Sequence, residues 1–247
     1  PNRWRSDVFE VTMMPASEGD CFIVRYGDIA APRQILIDTG RKATYKKLLS
    51  YLPENRRHFE LLVISHVDRD HIEGALSLLT DKPTGFTFDD IWFNAYRHLE
   101  WKPGWESFGA LQGEKVTNAI LSGGFNWNAA FEGGPVRIET EPRLVTLPGG
   151  MELLLLSPDA AKLKALEPDW EKECRRAGLD PETLARRRRD EGGDFEILGG
   201  KLEDLADAVT KEDGATPNGS SIAFIARYEG CSVLFAADAH SDRLCES

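Results

Sequence analysis

The sequence contains no apolar run long enough to cross a membrane as a helix. A bilayer-spanning helix needs about 20 consecutive apolar residues, whereas the longest run here, MELLLLSP at 151–158, is typical of a core strand. The chain also lacks the basic and then apolar pattern of a secretory signal. We therefore expect a cytoplasmic protein without a membrane partner.

Positive charge is in deficit, because 30 Lys and Arg residues stand against 41 Asp and Glu and give a net charge of −11. Such a chain has no overall attraction for nucleic acid or an anionic membrane. A nucleic-acid contact would depend on a bound metal or a local basic run. Consecutive arginines can hold a phosphate backbone in a salt-sensitive way, although a solvated helix end is the alternative interpretation. The candidate run is Arg186, Arg187, Arg188 and Arg189.

Cysteine is also scarce, with four residues at Cys21, Cys174, Cys231 and Cys245. None of them are paired at the spacing of a zinc finger, and nothing suggests a secreted disulfide framework. Cys21 and Cys231 fall inside predicted strands, where a free cysteine usually packs as a small apolar residue. We expect reduced thiols and no cysteine metal site.

Short apolar segments, several of them followed by helical patterns, make up most of the chain. Strands that lead into helices and are apolar on both faces favour a layered α/β sandwich. We find no short repeat and no linker, so we predict one domain over 1–247 that contains a charged helical insertion at 159–212. The predicted strands are VFEVTMM, CFIVRY, QILIDTG, ELLVIS, DIWFNAY, RLVTL, MELLLLSP, SSIAFIARY and CSVLFAAD.

Four potential metal ligands follow the strand ELLVIS within six residues: His66, Asp68, Asp70 and His71. On an extended segment, residues two apart point the same way, so His66, Asp68 and Asp70 can converge. The carboxyl end of a strand in an α/β sheet is also where ligand sites tend to lie. The pattern predicts a metal site, and the alternative is a solvated turn in which Asp70 only caps the next helix.

This loop, SHVDRDHIEG, resembles the H-x-H-x-D-H signature of the metallo-β-lactamase fold superfamily. EGDCFIVRYG and QILIDTG resemble the opening strands of that fold. PNGSSIAFIARYEGCSVLFAADA resembles a later segment of one branch, the metallo-β-lactamase-like domain of bacterial DNA-uptake channel proteins and their soluble nuclease relatives. The resemblance covers 7–80 and 215–240, and 95–210 match only as a generic sandwich.

The resemblance implies an α/β fold, a four-layer αββα sandwich whose C-terminal strands and helix would lie beyond Ser247. It also implies two divalent cations. His66 and Asp68 would bind the first, Asp70 and His71 the second, and Asp238 would bridge both. Asp38 and Asn218 would be supporting residues beside them.

Three departures from the family pattern affect the expected chemistry. Asp68 stands where the family usually has histidine, and a carboxylate there favours Mn²⁺ or Mg²⁺ more than an all-imidazole set does, although Zn²⁺ also accepts carboxylates. The mid-chain histidine is missing, and Asn218 occupies the corresponding segment. The resemblance implies that the final histidine would lie beyond Ser247, and His240 is the candidate stand-in within this sequence.

The implied activity is hydrolysis of a phosphodiester, with nucleic acid as the substrate. Two cations bridged by a carboxylate lower the pKa of a shared water and polarise a phosphoryl oxygen. Asp70 is expected to take part at the metals, and His240 or a bound water would protonate the leaving group. The alternatives are a degenerate domain that binds or regulates a partner and a hydrolase of another ester or lactam.

The soluble relatives also suggest how such a nuclease would be controlled. Some are encoded beside a trypsin-like protease in antiviral defence loci, where proteolysis switches the nuclease on. An exposed arginine run is a substrate for such a protease. The expected partners are therefore nucleic acid, a trypsin-like protease, and the missing C-terminal segment of the chain itself.

Overall fold

The computed structural model describes residues 7–16, 18–80, 85–99, 115–170 and 215–247. These residues form two β-sheets with helices between and beside their strands, and the predicted α/β class is confirmed. The arginine run at 186–189 and most of the predicted insertion at 159–212 lie outside the described residues.

The first sheet has five strands in the order β1-β2-β3-β4-β5. The first three strands form an antiparallel meander, and β3, β4 and β5 run parallel. Parallel neighbours bring their carboxyl ends to one edge of the sheet, which places the loops after β3 and β4 side by side. The strands are β1 (Asp7–Met13), β2 (Phe22–Asp28), β3 (Arg33–Ile37), β4 (His58–Val63) and β5 (Thr87–Trp92).

The second sheet is an antiparallel meander in the order β6-β7-β8-β9. The Pro-Gly-Gly turn between β6 and β7 forms the predicted hairpin, because the Leu147 N–H donates to the Met151 carbonyl. Its strands are β6 (Arg143–Thr146), β7 (Glu152–Ser157), β8 (Ala223–Tyr228) and β9 (Cys231–Phe235).

The helices are mostly short and connect the strands. The segment DIWFNAY, predicted as one strand, is divided, because β5 ends at Trp92 and a helix begins at Tyr96. The helices are α1 (Lys42–Tyr51), α2 (Arg69–Thr80), α3 (Tyr96–Leu99), α4 (Lys115–Gly123), α5 (Ala160–Leu166), α6 (Thr216–Gly219) and α7 (Ser241–Glu246).

Two apolar cores explain why these elements stack. One core packs α1, α2 and α4 against the outer face of the first sheet, through residues such as Leu48, Ile72 and Ile120. The other lies between the two sheets, where Val63 and Trp92 of the first face Phe224 of the second. The described residues therefore give a helix, sheet, sheet arrangement.

The fourth layer of the predicted sandwich is not established by the described residues. Leu144 and Leu234 lie on the outer face of the second sheet and are 51% and 52% exposed. None of the described helices is long and apolar enough to cross a membrane.

Candidate metal centre

Two loops of the first sheet meet at the carboxyl ends of its parallel strands. Ile37 at the end of β3 is in register with Val63 at the end of β4. Asp38 follows directly after β3, and Ser65 and His66 follow soon after β4. Parallel pairing therefore brings these side chains to one edge, as the sequence predicted.

The segment that follows the second sheet places Asp238 beside the carboxyl ends of β3 and β4. Ile222 lies just before β8, and its backbone N–H donates to the Ser65 carbonyl at 2.9 Å, which ties the two sheets together beside the loop. Ala237 has a φ of +45°, a left-handed conformation that costs free energy in a non-glycine residue. It turns the chain after β9 so that Asp238 faces the histidines of the first sheet.

The central cluster consists of His66, His71 and Asp238, with one ligand atom from each within 4.8 Å of the others. Asp238 Oδ2 lies 3.7 Å from His66 Nε2 and 3.6 Å from His71 Nε2. The two imidazole rings are 4.2 Å apart between centroids. This geometry places a carboxylate between two Nε2 atoms, as expected for a bridging ligand.

Asp68 and Asp70 flank the central cluster, one on each histidine. Asp68 Oδ2 is 3.8 Å from His66 Nε2, and Asp70 Oδ2 is 3.9 Å from His71 Nε2. Both carboxylates are about one-third exposed, whereas the histidines are buried. The structure therefore brings together all five predicted ligands, in the predicted pairs.

The predicted extended conformation of this loop is wrong for Asp70. Helix α2 begins at Arg69, and the N–H groups of His71 and Ile72 both donate to the Asp68 carbonyl. Asp70 and His71 therefore belong to the first helical turn. Gly74 allows this helix to approach closely, since a Cβ there would lie 2.4 Å from the Thr39 carbonyl oxygen.

Asp38 orients both histidines through hydrogen bonds. One carboxylate oxygen, Oδ2, accepts from His71 Nδ1 at 2.9 Å and from the Ser65 hydroxyl at 2.6 Å. Because the Ser65 proton is used in that bond, its Oγ accepts from His66 Nδ1 at 2.9 Å. Both histidines therefore present Nε2 to Asp238, the arrangement in which a second layer of residues fixes metal-ligating imidazoles.

The backbone of Asp38 is strained in this position, and a hydrogen bond from Ser65 holds its carboxylate in place. The φ of Asp38 is +50°, in the left-handed region that few non-glycine residues occupy. The Ser65 backbone N–H donates to Asp38 Oδ1 at 2.8 Å. The predicted supporting role of Asp38 thus has a concrete form, and Ser65 is a partner that the sequence did not reveal.

His66 carries the clearest sign of a ligand. Its side chain is fully buried, and its Nε2 has no hydrogen-bond partner. Burial, aided by the neighbouring His71, lowers the pKa of His66 to about 4, so the ring is neutral at pH 7. A buried, unpaired imidazole nitrogen is costly, and a metal ion would satisfy it.

His71 has the opposite protonation in the metal-free chain. Burial opposes its charged form, but the interactions with Asp238 and Asp38 outweigh burial and raise the pKa of His71 to about 11. The ring is therefore protonated at pH 7. Because a metal-bound imidazole must be neutral on the ligating nitrogen, cation binding has to displace this proton.

Metal binding is expected to release about one proton per chain from His71 at pH 8. Because the pKa of His71 is raised to about 11, the proton competes with the cation at every pH below that value. The affinity for the cation should therefore rise with pH. Calorimetric titration with Mn²⁺ in buffers of different ionisation enthalpy measures the released proton. Binding without proton release at pH 8 would contradict this assignment.

Asp20, in the turn between β1 and β2, is a site residue that the sequence reasoning missed. One ligand atom each from Asp20, Asp38 and His71 lie within 4.8 Å of one another. Burial raises the pKa of the Asp20 carboxyl, and His71 opposes that shift. The signal available in the sequence was the EGD turn before β2, which carries a carboxylate immediately after a glycine.

Gly19 is the reason that this turn can reach the site. Its φ is +67°, and a Cβ there would lie 2.0 Å from the Asp70 carbonyl oxygen. Gly19→Ala is expected to cost about 2–4 kcal/mol of unfolding free energy, through strain and through the clash. Gly85→Ala is the matched control, because Gly85 has a φ of +70° and no atom within 4 Å of its Cβ position.

Urea denaturation of Gly19→Ala and Gly85→Ala separates the cost of the left-handed backbone conformation from the cost of the clash with the Asp70 backbone. Gly85→Ala should lose only about 1 kcal/mol, which is the cost of the left-handed conformation. Equal losses in both variants would show that the close approach of the turn to Asp70 does not matter for folding.

His240 does not join the central cluster. Its Nε2 donates to the Ala215 carbonyl at 3.0 Å, and its Nδ1 accepts from Lys162 Nζ at 3.1 Å. Its ring packs on Gly219, where a Cβ would lie 2.9 Å from the imidazole. Both nitrogens are engaged, so this geometry does not support the predicted roles of stand-in ligand and proton donor.

The other histidines also lie elsewhere. His98 Nδ1 accepts from the Ala95 N–H and its Nε2 donates to the Gly133 carbonyl. His58 Nδ1 is 3.0 Å from the Thr87 hydroxyl. The structure describes all five histidines of the sequence, and within the described residues His66 and His71 are the only histidines that belong to the cluster.

Two further expectations concern residues near the site. Asn218 is buried on α6, in the segment that leads to Ile222 and its bond to Ser65, so it is close along the chain to the junction of the two sheets.

Burial, with the nearby Asp38 and Asp20, raises the pKa of the Cys21 thiol to about 12. Cys21 is thus a neutral core thiol, as predicted, and not a thiolate ligand.

No protein-family model matches the chain, and no curated protein matches it. The resemblance to the metallo-β-lactamase superfamily therefore remains a prediction from the motifs. The interpretation of the site depends on its geometry and on the chemistry of its donor atoms.

Proposed function

We propose that this protein is a divalent-metal-dependent hydrolase with a metallo-β-lactamase-like fold, and that it cleaves the phosphodiester bonds of nucleic acid. The observation that carries the proposal is the buried Nε2 of His66. It has no hydrogen-bond partner and lies 3.7 Å from the carboxylate of Asp238. A chain that folds around an unsatisfied imidazole nitrogen gains free energy when a cation binds there.

The donor set suits two cations. His66, Asp68 and Asp238 would hold one, and His71, Asp70 and Asp238 the other. Three carboxylates and two imidazoles are compatible with Mn²⁺ and Zn²⁺, and with Mg²⁺ where oxygen ligands dominate. His66 Nε2 has no hydrogen-bond partner, and His71 Nε2, which lies 3.6 Å from Asp238, can bind a cation once its proton is displaced.

Divalent cations in this position would lower the pKa of a bound water and polarise a phosphoryl oxygen. The protein's own contribution is preorganisation. Asp38 and Ser65 fix the orientation of the two imidazoles through their Nδ1 atoms, and burial keeps His66 neutral. All three carboxylates of the cluster are partly exposed, at 32% for Asp68, 35% for Asp70 and 42% for Asp238, whereas both histidines are buried.

The phosphodiester class is the part of the proposal that depends on the motifs. The resemblance to the DNA-uptake branch supports it, and the carboxylate-rich donor set agrees with metals that bind phosphate oxygens. Because the chain is acidic overall, bound cations would supply positive charge for an anionic substrate, and they would also activate the attacking water. Cleavage should therefore be absent without added metal, whatever the nucleic acid offered.

The test is a cleavage assay on single-stranded and double-stranded DNA and RNA with Mn²⁺, Mg²⁺ or Zn²⁺. We expect metal-dependent cleavage that Asp238→Asn reduces by about a thousandfold, because the bridging charge is lost. Glu139→Gln, which alters an exposed carboxylate paired with Arg137, is the control and should be unaffected. Cleavage of an ester or β-lactam but of no nucleic acid would replace the substrate class and keep the metal centre.

A second candidate is a binding or regulatory module that holds metal without hydrolysis. Asp68 favours it, because it stands where the resembled family usually has histidine, and His58, His98 and His240 are engaged elsewhere. Stoichiometric metal binding without turnover of any phosphodiester, ester or lactam would support this candidate. Activation by cleavage at the arginine run stays a prediction from the sequence.

A further inference from the structure

The turn between β1 and β2 brings a carboxylate to the metal centre from outside the ligand loop. Asp20 is half-buried, and one of its oxygens lies within 4.8 Å of ligand atoms from Asp38 and His71. It lies at the His71 side of the central cluster. Its position is independent of the SHVDRDHIEG loop in sequence, so the convergence comes from the fold.

The charge around Asp20 is strongly unbalanced. The side chains that act most strongly on its carboxyl electrostatically include one imidazole, His71, and the carboxylates of Asp38, Asp70 and Asp238. Four carboxylates around one imidazole repel one another in a partly dry environment. A divalent cation would relieve that repulsion.

A second observation points to a cation in the adjoining central cluster, which shares His71 with Asp20. His66 Nε2 is buried without a hydrogen-bond partner, and it faces Asp238, which also contacts His71. Acidic side chains that cluster without such an atom could be explained by solvation alone. A buried, unpaired nitrogen directed at the cluster cannot be explained in that way.

The turn is also built for close approach to the ligand loop. Gly19 has a left-handed φ of +67°, and only the lack of a Cβ allows it to lie against the Asp70 backbone. Glu18 on the other side of Gly19 forms an ion pair with Arg41 at the surface. The turn therefore points one carboxylate outward to an arginine and the next one inward to the site.

We propose that Asp20 is a direct ligand of the cation held by His71 and Asp70. The inference rests on the metal centre of the proposed function, and it supplies a donor to a site that has only two imidazoles. Asp38 remains a positioning residue, because its carboxylate is occupied by His71 Nδ1 and Ser65. Of the two carboxylates, Asp20 and Asp38, it is therefore Asp20 that can turn toward the metal.

The test compares Asp20→Asn with Glu18→Gln in the full chain. Both substitutions remove one negative charge from the same turn, and both keep the side-chain size. Equilibrium dialysis with Mn²⁺ measures stoichiometry and the affinity of each site, and the visible absorption of Co²⁺ reports the ligand set directly. We expect two Mn²⁺ per wild-type chain. Asp20→Asn should weaken one of them by about a hundredfold and shift the Co²⁺ bands, whereas Glu18→Gln should do neither.

Each other outcome has a definite meaning. Unchanged Mn²⁺ affinities and Co²⁺ bands in Asp20→Asn would overturn the assignment of Asp20 while leaving the metal centre in place. Weaker binding with unchanged Co²⁺ bands would also overturn it, because Asp20 would then only position His71. A wild-type chain that binds no Mn²⁺, Co²⁺ or Zn²⁺ would overturn both the inference and the proposed function.

Discussion

Replacement of His66 by alanine should lower the affinity of the protein for Mn²⁺ or Zn²⁺ by roughly a hundredfold to a thousandfold. This is the loss expected when one ligand is removed from a metal site whose binding free energy is about 10–16 kcal/mol. His66 is the residue whose Nε2 is buried, unpaired and 3.7 Å from Asp238. The same substitution should abolish the rise in melting temperature that a saturating cation produces, because that rise comes from binding to the folded state.

The control for this prediction is His58→Ala. His58 is more than half exposed at the start of β4, where it forms with Glu60 and Asp89 a separate group that could hold a cation, so its replacement tests that alternative site. Metal content should be unchanged in His58→Ala and lost in His66→Ala, as measured by elemental analysis after dialysis. Equal metal content in the two variants would mean that the cation, if any, binds elsewhere.

Of the substitutions proposed, Asp38→Ala should lower the unfolding free energy of the metal-free protein most, by about 3–5 kcal/mol. The reason is that three donors lose their acceptor in the interior: His71 Nδ1, the Ser65 hydroxyl and the Ser65 N–H. Metal affinity should also fall by about 10–100-fold, because the imidazoles are no longer fixed in one tautomer.

Asp90→Ala separates these two effects. Asp90 is another partly buried carboxylate, and it accepts hydrogen bonds from Trp92 Nε1 and from the N–H groups of Ala129 and Ala130. Its loss should destabilise the fold but leave metal affinity unchanged. If Asp38→Ala unfolds as easily as Asp90→Ala and binds metal as well as the wild type, Asp38 has no role at the metals.

The sequence predicted the strands and the ligand loop because both depend on local patterns. Short apolar runs define β1 to β9, and ligand residues two apart after a strand define the loop at His66 and Asp68. The resemblance supplied Asp238, which lies far away in sequence and which periodicity could not have connected to the loop. The structure places it within 3.7 Å of both histidines.

The residues that sequence reasoning missed or misplaced depend on tertiary geometry. Asp20 reaches the site only because Gly19 adopts a left-handed conformation against Asp70. Ser65 matters because its hydroxyl lies between Asp38 and His66. His240 is close to Asp238 in sequence, yet its ring nitrogens bond to Lys162 and Ala215. Sequence proximity could not distinguish these cases.

The most direct test of the metal centre is a crystal structure of the protein grown with Mn²⁺, with anomalous differences collected near the manganese edge. We predict anomalous peaks in contact with His66 Nε2, His71 Nε2 and the Asp238 carboxylate. A structure with Mn²⁺ present and no peak at these atoms, or with His66 Nε2 still unpaired, would contradict the account.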